Sequence, residues 1–366
     1  ADLVVAKDVD IGLTGEITRR GGFSEVSPDC HKNLHQGHGF MLATRGSELV
    51  SIHPGGAVHV LHPSMGPERL WYCNLPDGRT TFTNGLIHGI TDGVQGLDLT
   101  VPAPESLGAV DSELGGLFPG EYRYSLAYVR LSDGLEGPAI SSAPVLLDGG
   151  LRLDGLPERE GYAINVYLTA QGGEQGYLAG AATGSHFKFT GSNAELVLPC
   201  RTMGAAPLPV GILTAFWKGR LLVAVGNVLW ASRPNALHLC DWRDFRPMPA
   251  AITAIMPVDD GVFVGTAEDL VWLGGATFDG LAYQAKKLGP VVLGSGIQAP
   301  GEKLKYGDGR GQGNAVLCIA GGKVVAGFGG GGVSALTEDR YRTGATEVCA
   351  TFREVGGVPQ YIVIPQ

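Results

Sequence analysis

Cys30, His31, His35 and His38 fall within nine residues, CHKNLHQGH. Thiolate and imidazole are good zinc ligands, and histidines four residues apart would share one face of a helix. Such a site needs a second ligand pair or an accompanying glutamate, and the sequence has neither at matching spacing. The stretch reads as a solvated loop between strands. Asp8, Asp10 and Gly15 reproduce a fragment of a calcium loop but lack the distal bidentate glutamate that would complete it.

Three further groups invite a chemical reading. Gly327, Gly329 and Gly332 satisfy G-x-G-x-x-G, which cradles a phosphate only between a strand and a helix; no helix is predicted there, so the run reads as a hairpin between two strands. The stretch Gly309–Asn314 (GRGQGN) reads as a mobile surface loop. Asp241, Asp244, Asp259 and Asp260 supply carboxylates, and glycoside hydrolysis needs two of them at a defined separation, one with a raised pKa. Aspartates are so common in turns that spacing selects no pair. No G-x-S-x-G, H-E-x-x-H or cysteine–histidine nucleophile pattern is present. The expectation is a protein that is not an enzyme, with no catalytic residue, no cofactor and no metal ligand. Trp71, Trp217, Trp230, Trp242 and Trp272 lie mostly inside strand-like runs, where packing between sheets is expected more than a sugar-binding box.

The elements that hold these residues are most legible from Gly211 to Gly275. Apolar runs at Leu213–Phe216, Arg220–Val225 and Val228–Ser232 are separated by turns at Lys218-Gly219 and Gly226-Asn227. After an irregular outer segment, Ile252–Pro257, Val262–Gly265 and Leu270–Leu273 repeat the pattern. Four short strands per unit of about 40–45 residues point to propeller blades. The 58 glycines and 22 prolines among 366 residues then read as many tight turns, given a hydrophobic fraction of 44%.

Two blades fit the region from His38 to Val101, with strands at Gly39–Thr44, Glu48–His53 and Val58–His62 in the first. The rhythm changes after Pro102-Ala103-Pro104. Tyr122, Tyr124, Leu126 and Tyr128 alternate with Arg123, Ser125 and Ala127, which is a strand with one aromatic face. About seven short strands in roughly ninety residues suggest an immunoglobulin or fibronectin III-like sandwich. The expected organisation is all-β: propeller in residues 1–105, inserted sandwich in residues 106–201, and propeller again in residues 202–366. Five blades are expected, with a sixth closed by pairing of the N- and C-terminal strands, since an unpaired terminal strand is an exposed edge.

The formal net charge of −9 argues against a general nucleic-acid groove. Six cysteines are scattered singly without C-x-x-C spacing, which fits folding in a reducing compartment. The N-terminal stretch lacks the apolar core of a signal peptide, and no run is long enough to cross a membrane as a helix.

The order of motifs resembles that of tailed-bacteriophage virion proteins. KDVDIGLTGEITRRGGF is similar to their Asp-x-Asp-x-x-x-Thr-Gly-x-Ile-x-Arg-Arg start. Thr83-Asn84-Gly85, the insert opening LFPGEYRYSLAYVRLSDGLEGPAI, INVYLT, Gly219–Ser232, Val258–Thr266 and Asp339-Arg340-Tyr341 follow in the same order. The resemblance implies a structural tail protein, similar to the nozzle or head–tail connection of short-tailed phages, in a virion assembled in the bacterial cytoplasm. Implied partners are copies of itself in a ring and other tail or connector proteins, with DNA passing through the lumen without specific binding. The alternatives are a host-surface or carbohydrate-binding module of the tail and, more remotely, a propeller glycoside hydrolase.

Overall fold

Leu221–Ala224 is an unbroken apolar run inside the strand Arg220–Val225, and all four residues are buried. A strand covered on one face alternates in polarity; a run this continuous needs cover on both. The computed structural model supplies it. It describes residues 9–366 except 13, 20, 23, 24, 26, 27, 308, 339 and 340. The chain divides into two compact units, one of Ala1–Leu97, Val210–Ala231 and Phe245–Gln366, the other of Asp98–Pro209 and Ser232–Asp244.

In the first unit five four-stranded antiparallel sheets follow one another along the chain. Sheet A is His31–Gln36, Met41–Arg45, Glu48–Ile52 and Val58–His62; sheet B is Trp71–Asn74, Thr80–Thr83, His88–Thr91 and Gly96–Asp98. Sheet C is Leu213–Trp217, Arg220–Val225, Val228–Ala231 and Phe245–Pro247; sheet D is Ile252–Val258, Gly261–Thr266, Leu270–Gly274 and Ala282–Ala285. Sheet E is Ile297–Pro300, Asn314–Ala320, Lys323–Gly327 and Val333–Ala335. Within each, spatial order follows chain order, as successive short hairpins require. Lys218 and Gly219 both have positive φ, 46° and 80°, the left-handed pair that a two-residue hairpin turn demands.

The sheets bury their faces against one another. Phe40, Leu42, Leu49 and Phe82 share a core between A and B, and Leu222, Ala224, Val262 and Val264 share one between C and D. Phe263, Trp272, Val316 and Val325 do so between D and E. At about 25 cal/mol per Å² of apolar surface removed from water, these shared cores are the main stabilising term.

Two expectations change here. His31–Gln36, expected as a loop, is the first strand of sheet A. The two ends do not share a sheet among the described residues. Val9–Ile11 pairs with Ile17–Arg19, and Val348–Val355 pairs with Val358–Pro365. Gly356 and Gly357, with φ of 57° and 80°, make the second hairpin a purely local closure, which costs less chain entropy than joining distant ends. The ends meet through side chains, Arg353 lying 3.7 Å from Asp10. Any pairing through residues 1–8 lies outside the described residues.

The second unit has two sheets on one core. Ala109–Tyr122, Val145–Asp154 and His186–Phe189 form the first; Ile140–Ser141, Tyr124–Arg130, Tyr162–Thr169 and Gly176–Ala181 form the second. Tyr122, Leu126, Tyr128, Leu151, Leu153 and Val166 fill the space between them. Ser232–Asp244, the irregular outer segment of the sequence reading, belongs to this unit. Leu239–Asp241 pairs with Ala205–Pro207, and Arg233 donates to the carbonyls of Arg201 and Met203. The chain is all-β, its helix limited to three single 3-10 turns among the described residues.

Candidate functional site

The residues singled out for chemistry are used by the structure to hold itself together. On the first strand of sheet A, the His35 ring stacks on Tyr72 with centroids 4.7 Å apart, and its Nε2 lies 2.9 Å from Asn74 Oδ1. Burial lowers its pKa, against the raising effect of the Asn74 bond. His31 turns its Nδ1 to the Asp29 carbonyl at 3.0 Å. The polar half of this strand thus faces sheet B, where the Tyr72 hydroxyl also donates to the Asn33 carbonyl at 2.8 Å. Among the described residues no three His, Cys, Asp or Glu side chains gather as a metal-binding group. Of the calcium-like fragment, Asp8 lies outside the described residues and Asp10 faces Arg353.

The glycine run closes the turn between two paired strands of sheet E, Lys323–Gly327 and Val333–Ala335, and no α-helix follows it. Its Gly330 N–H donates to Asp260 Oδ2 at 2.6 Å, so this backbone donor already has a carboxylate acceptor. Asp259 accepts from the Asn314 amide at 2.9 Å. Asp241 receives the Arg233 Nε at 2.8 Å. Gly309–Arg310 pairs with Lys305–Tyr306 as a short hairpin, which corrects the loop expected there. Asp241, Asp259 and Asp260 thus each have their own donor, and Asp244 is buried.

The tryptophans divide. Trp217 is buried and donates its indole N–H to the Val258 carbonyl at 3.0 Å, from sheet C to sheet D. Trp272 is buried against Phe263 with ring centroids 4.6 Å apart. Trp230 lies against Phe245 within sheet C, and Trp71 sits under the Arg69 guanidinium at 4.1 Å. Trp242 departs from the expectation of packing between sheets: it is 68% exposed and stacked under Arg243. Its segment is in the second unit, where no further sheet covers it.

The six thiols are free. Burial pushes Cys73 and Cys318 up to about 12 and Cys240 up to about 11, so none of these three is a thiolate at neutral pH. His88, in sheet B, is buried with neither ring nitrogen hydrogen-bonded, and desolvation takes its pKa down to about 4.

The sequence alone does not single out Glu136, the centre of a polar cluster in the second unit. Its carboxylate accepts from the Tyr167 hydroxyl at 2.6 Å, the Asn165 amide at 2.8 Å and the Thr202 hydroxyl at 2.9 Å. Its main-chain carbonyl lies 2.9 Å from His238 Nε2. Burial, and then the Glu136 carboxylate, raise the Tyr167 pKa, so the phenol stays a donor. Cys200 Sγ lies 3.5 Å from the Thr202 hydroxyl, and burial raises this thiol too. The group resembles a nucleophile, base and acid by composition alone; its donors and acceptors satisfy one another, and it ties Ser232–Asp244 to the rest of the second unit. No spacing in the sequence announces it, because its members come from four separate segments.

In two surface clefts several of the lining groups are already engaged. One of about 240 Å³ is lined by Trp217, Lys218, Pro257, Asp259, Gln298 and Asn314. Lys218 donates to the Ala276 carbonyl at 3.1 Å and Gln298 to that of Pro257 at 2.8 Å, so the donors point into walls. The other, about 360 Å³, lies in the second unit beside Glu158, Arg159, Glu160 and Tyr162. Arg159 there is placed over the Tyr162 ring at 5.5 Å and beside Glu105 at 3.5 Å.

No protein-family description matches the sequence, and no curated protein matches it. Among solved structures, the Pan2 WD40 domain of Neurospora crassa is similar over 91% of this chain and 86% of its own, with 8% identity and a TM-score of 0.37. BBS1N, solved in complex with ARL6DN, is similar over 94% of this chain and 91% of its own, with 12% identity and a TM-score of 0.33. Likeness at this level transfers no function.

Proposed function

We propose that this chain is a structural component of a bacteriophage tail, at the nozzle, the head–tail connection or the tail tip. In this reading the first unit is a β-propeller of five blades and the second an inserted immunoglobulin-like sandwich that docks neighbouring virion proteins. The observation that carries it is the use of side chains along the first unit. At each successive seam a polar side chain bonds a main-chain carbonyl next door: Tyr72 to Asn33, Thr83 to Gly211, Trp217 to Val258, Gln298 to Pro257 and Tyr361 to Ser295. Such a unit is built for stiffness, and the motif order along the chain resembles that of phage virion proteins. Copies joined by a repeated heterologous contact would close a ring.

Electron microscopy of the purified chain, alone and with any portal or tail proteins found encoded beside its gene, tests the reading. Rings, or incorporation into tails at a fixed position, are expected. A chain that stays monomeric in every mixture, absent from purified virions, overturns it.

A further inference from the structure

We infer that an extended, basic-and-apolar segment of a partner protein adds as a strand to the second unit along Val145–Asp148. This rests on the reading of that unit as the docking element, and it names where docking occurs and what is recognised.

The edge comes first. Val145–Asp154 pairs along its whole length with Ala109–Tyr122 on one side. On its other side His186–Phe189 pairs only with Leu151–Asp154, so no described strand covers Val145–Gly150 there. An edge of this kind presents main-chain donors and acceptors to a further strand. Pro144, without an N–H, marks where that edge begins.

Side chains beside the edge give the partner its character. Leu147 is buried while Leu146 is 77% exposed, so the strand alternates and Leu146 faces solvent. Leu146 is paired directly with Glu121. Leu117 pairs with Gly149 and Gly120 with Leu147, so Phe118 and Pro119 both stand opposite Asp148. Phe118 is 67% exposed. The solvent side therefore carries two large apolar groups, Leu146 and Phe118, interleaved with two carboxylates, Glu121 and Asp148.

The other half of the same sheet shows what these carboxylates lack. Arg152 lies 3.0 Å from Asp111 and 3.1 Å from Asp154, and Lys188 lies 2.7 Å from Glu113. Charges there are matched within the sheet. Neither Glu121 nor Asp148 has an ion-pair partner among the described residues. A second copy of this chain would bring its own Glu121 and Asp148 to the same place, and like charges across a strand pair are destabilising. A segment alternating apolar residues with lysine or arginine matches both the apolar groups and the carboxylates. Charge complementarity thus selects a partner of different sequence over self-association.

The test uses the full-length chain and three fluorescent nine-residue peptides: alternating valine and lysine, alternating valine and glutamate, and the first with its backbone amides N-methylated at alternate positions. Saturable binding of the valine–lysine peptide is expected by anisotropy, at least tenfold tighter than either control. Phe118→Asp and Leu146→Asp are each expected to weaken it at least tenfold while leaving the circular dichroism spectrum unchanged, since both side chains are solvent-facing. No saturable binding, equal binding of the glutamate or N-methylated peptide, or indifference to both substitutions overturns the inference. So does self-association in sedimentation that Phe118→Asp abolishes, which would assign the face to a second copy. The virion result is read separately. Tails that incorporate wild type but not Leu146→Asp support this edge, whereas a chain absent from virions that still binds the peptide removes the tail reading alone.

Discussion

The two units solve the same problem, joining sheets across a dry gap, with different acceptors. At each seam between successive sheets of the first unit one polar tie ends on a main-chain carbonyl, as Trp217 on Val258 and Thr83 on Gly211. In the second, main-chain carbonyls also serve, as Pro157 for Tyr128 and Arg201 for Arg233, but one carboxylate gathers several donors at a single point: Tyr167, Asn165 and Thr202 on Glu136. A carbonyl has the same charge at every pH and can be supplied by any residue. A carboxylate is stronger as an acceptor but depends on one side chain and on its ionisation. These seams of the first unit are thus tolerant in their acceptors and demanding in their donors; the Glu136 cluster is the reverse.

The largest effect that probes this contrast is expected at a donor of the first unit. Trp217→Ala removes a buried indole and should cost about 3–5 kcal/mol in denaturant unfolding. Trp217→Phe should lose less, keeping most of the packing and only orphaning the Val258 carbonyl. Equal losses would mean that the carbonyl bond, not burial, dominates.

In the second unit Glu136→Ala should cost about 2–3 kcal/mol by leaving buried donors unpaired. It should also open Ser232–Asp244 to limited proteolysis, because His238 meets the same loop. Glu136→Gln should restore part of the loss. A protease pattern unchanged in Glu136→Ala would separate that segment from the carboxylate.

His88 sharpens the comparison as a buried titratable side chain of the first unit whose ring nitrogens have no hydrogen-bond partner. Its folded pKa of about 4 lies below the unfolded value, so the unfolded state takes up its proton first as pH falls. Stability is therefore whole above about pH 6.5 and is lost between there and pH 4, on the order of 3 kcal/mol for a shift of this size. His88→Leu should stabilise by about 1–2 kcal/mol at neutral pH, by removing an unpaired buried polar group, and by more at pH 5. A wild-type melting temperature that is flat from pH 7 to 4.5 would contradict this. Asp133 has the same sign in a lower window: the Arg130 guanidinium lowers its pKa, so its contribution is present above the ordinary carboxylate range and is lost as pH falls through and below it.

The smallest effect belongs to the solvent face of the second unit. Phe118→Asp and Leu146→Asp should each change unfolding free energy by no more than about 0.5 kcal/mol. A larger loss would place these side chains inside a core and remove them from any docking face.

How much of this was legible beforehand follows from where the signal resides. Sheets C and D were readable because LLVAV and VFVGT are apolar runs between glycine turns, a local signal. His31–Gln36 was not, because HKNLHQ is polar on both faces; what makes it a strand is Tyr72 and Asn74 arriving from sheet B. Ala109–Tyr122 was hidden by Gly115, Gly116 and Pro119, which sit at its register shifts. The alternation from Tyr122 to Tyr128 was noticed, but Tyr122 ends one sheet and Tyr124 begins the other. Ser232–Asp244 joins the second unit through Arg233 bonding to carbonyls 30 and 32 residues earlier, which no local pattern encodes. Glu136 was invisible for the same reason.

The split ownership of Ser232–Asp244 also sets an order on biosynthesis. Residues 98–209 leave the ribosome first, yet Glu136 and the Met203 carbonyl wait for His238 and Arg233, and the strand Ala205–Pro207 waits for Leu239–Asp241. At roughly 5–20 residues per second, that is a few seconds during which the second unit is present but incomplete. The same interval leaves sheet C with three strands, since Phe245–Pro247 follows the excursion. Translation through Pro247 completes the second unit and sheet C almost together, so a stalled or truncated chain ending before Asp244 carries an unfinished edge in each unit.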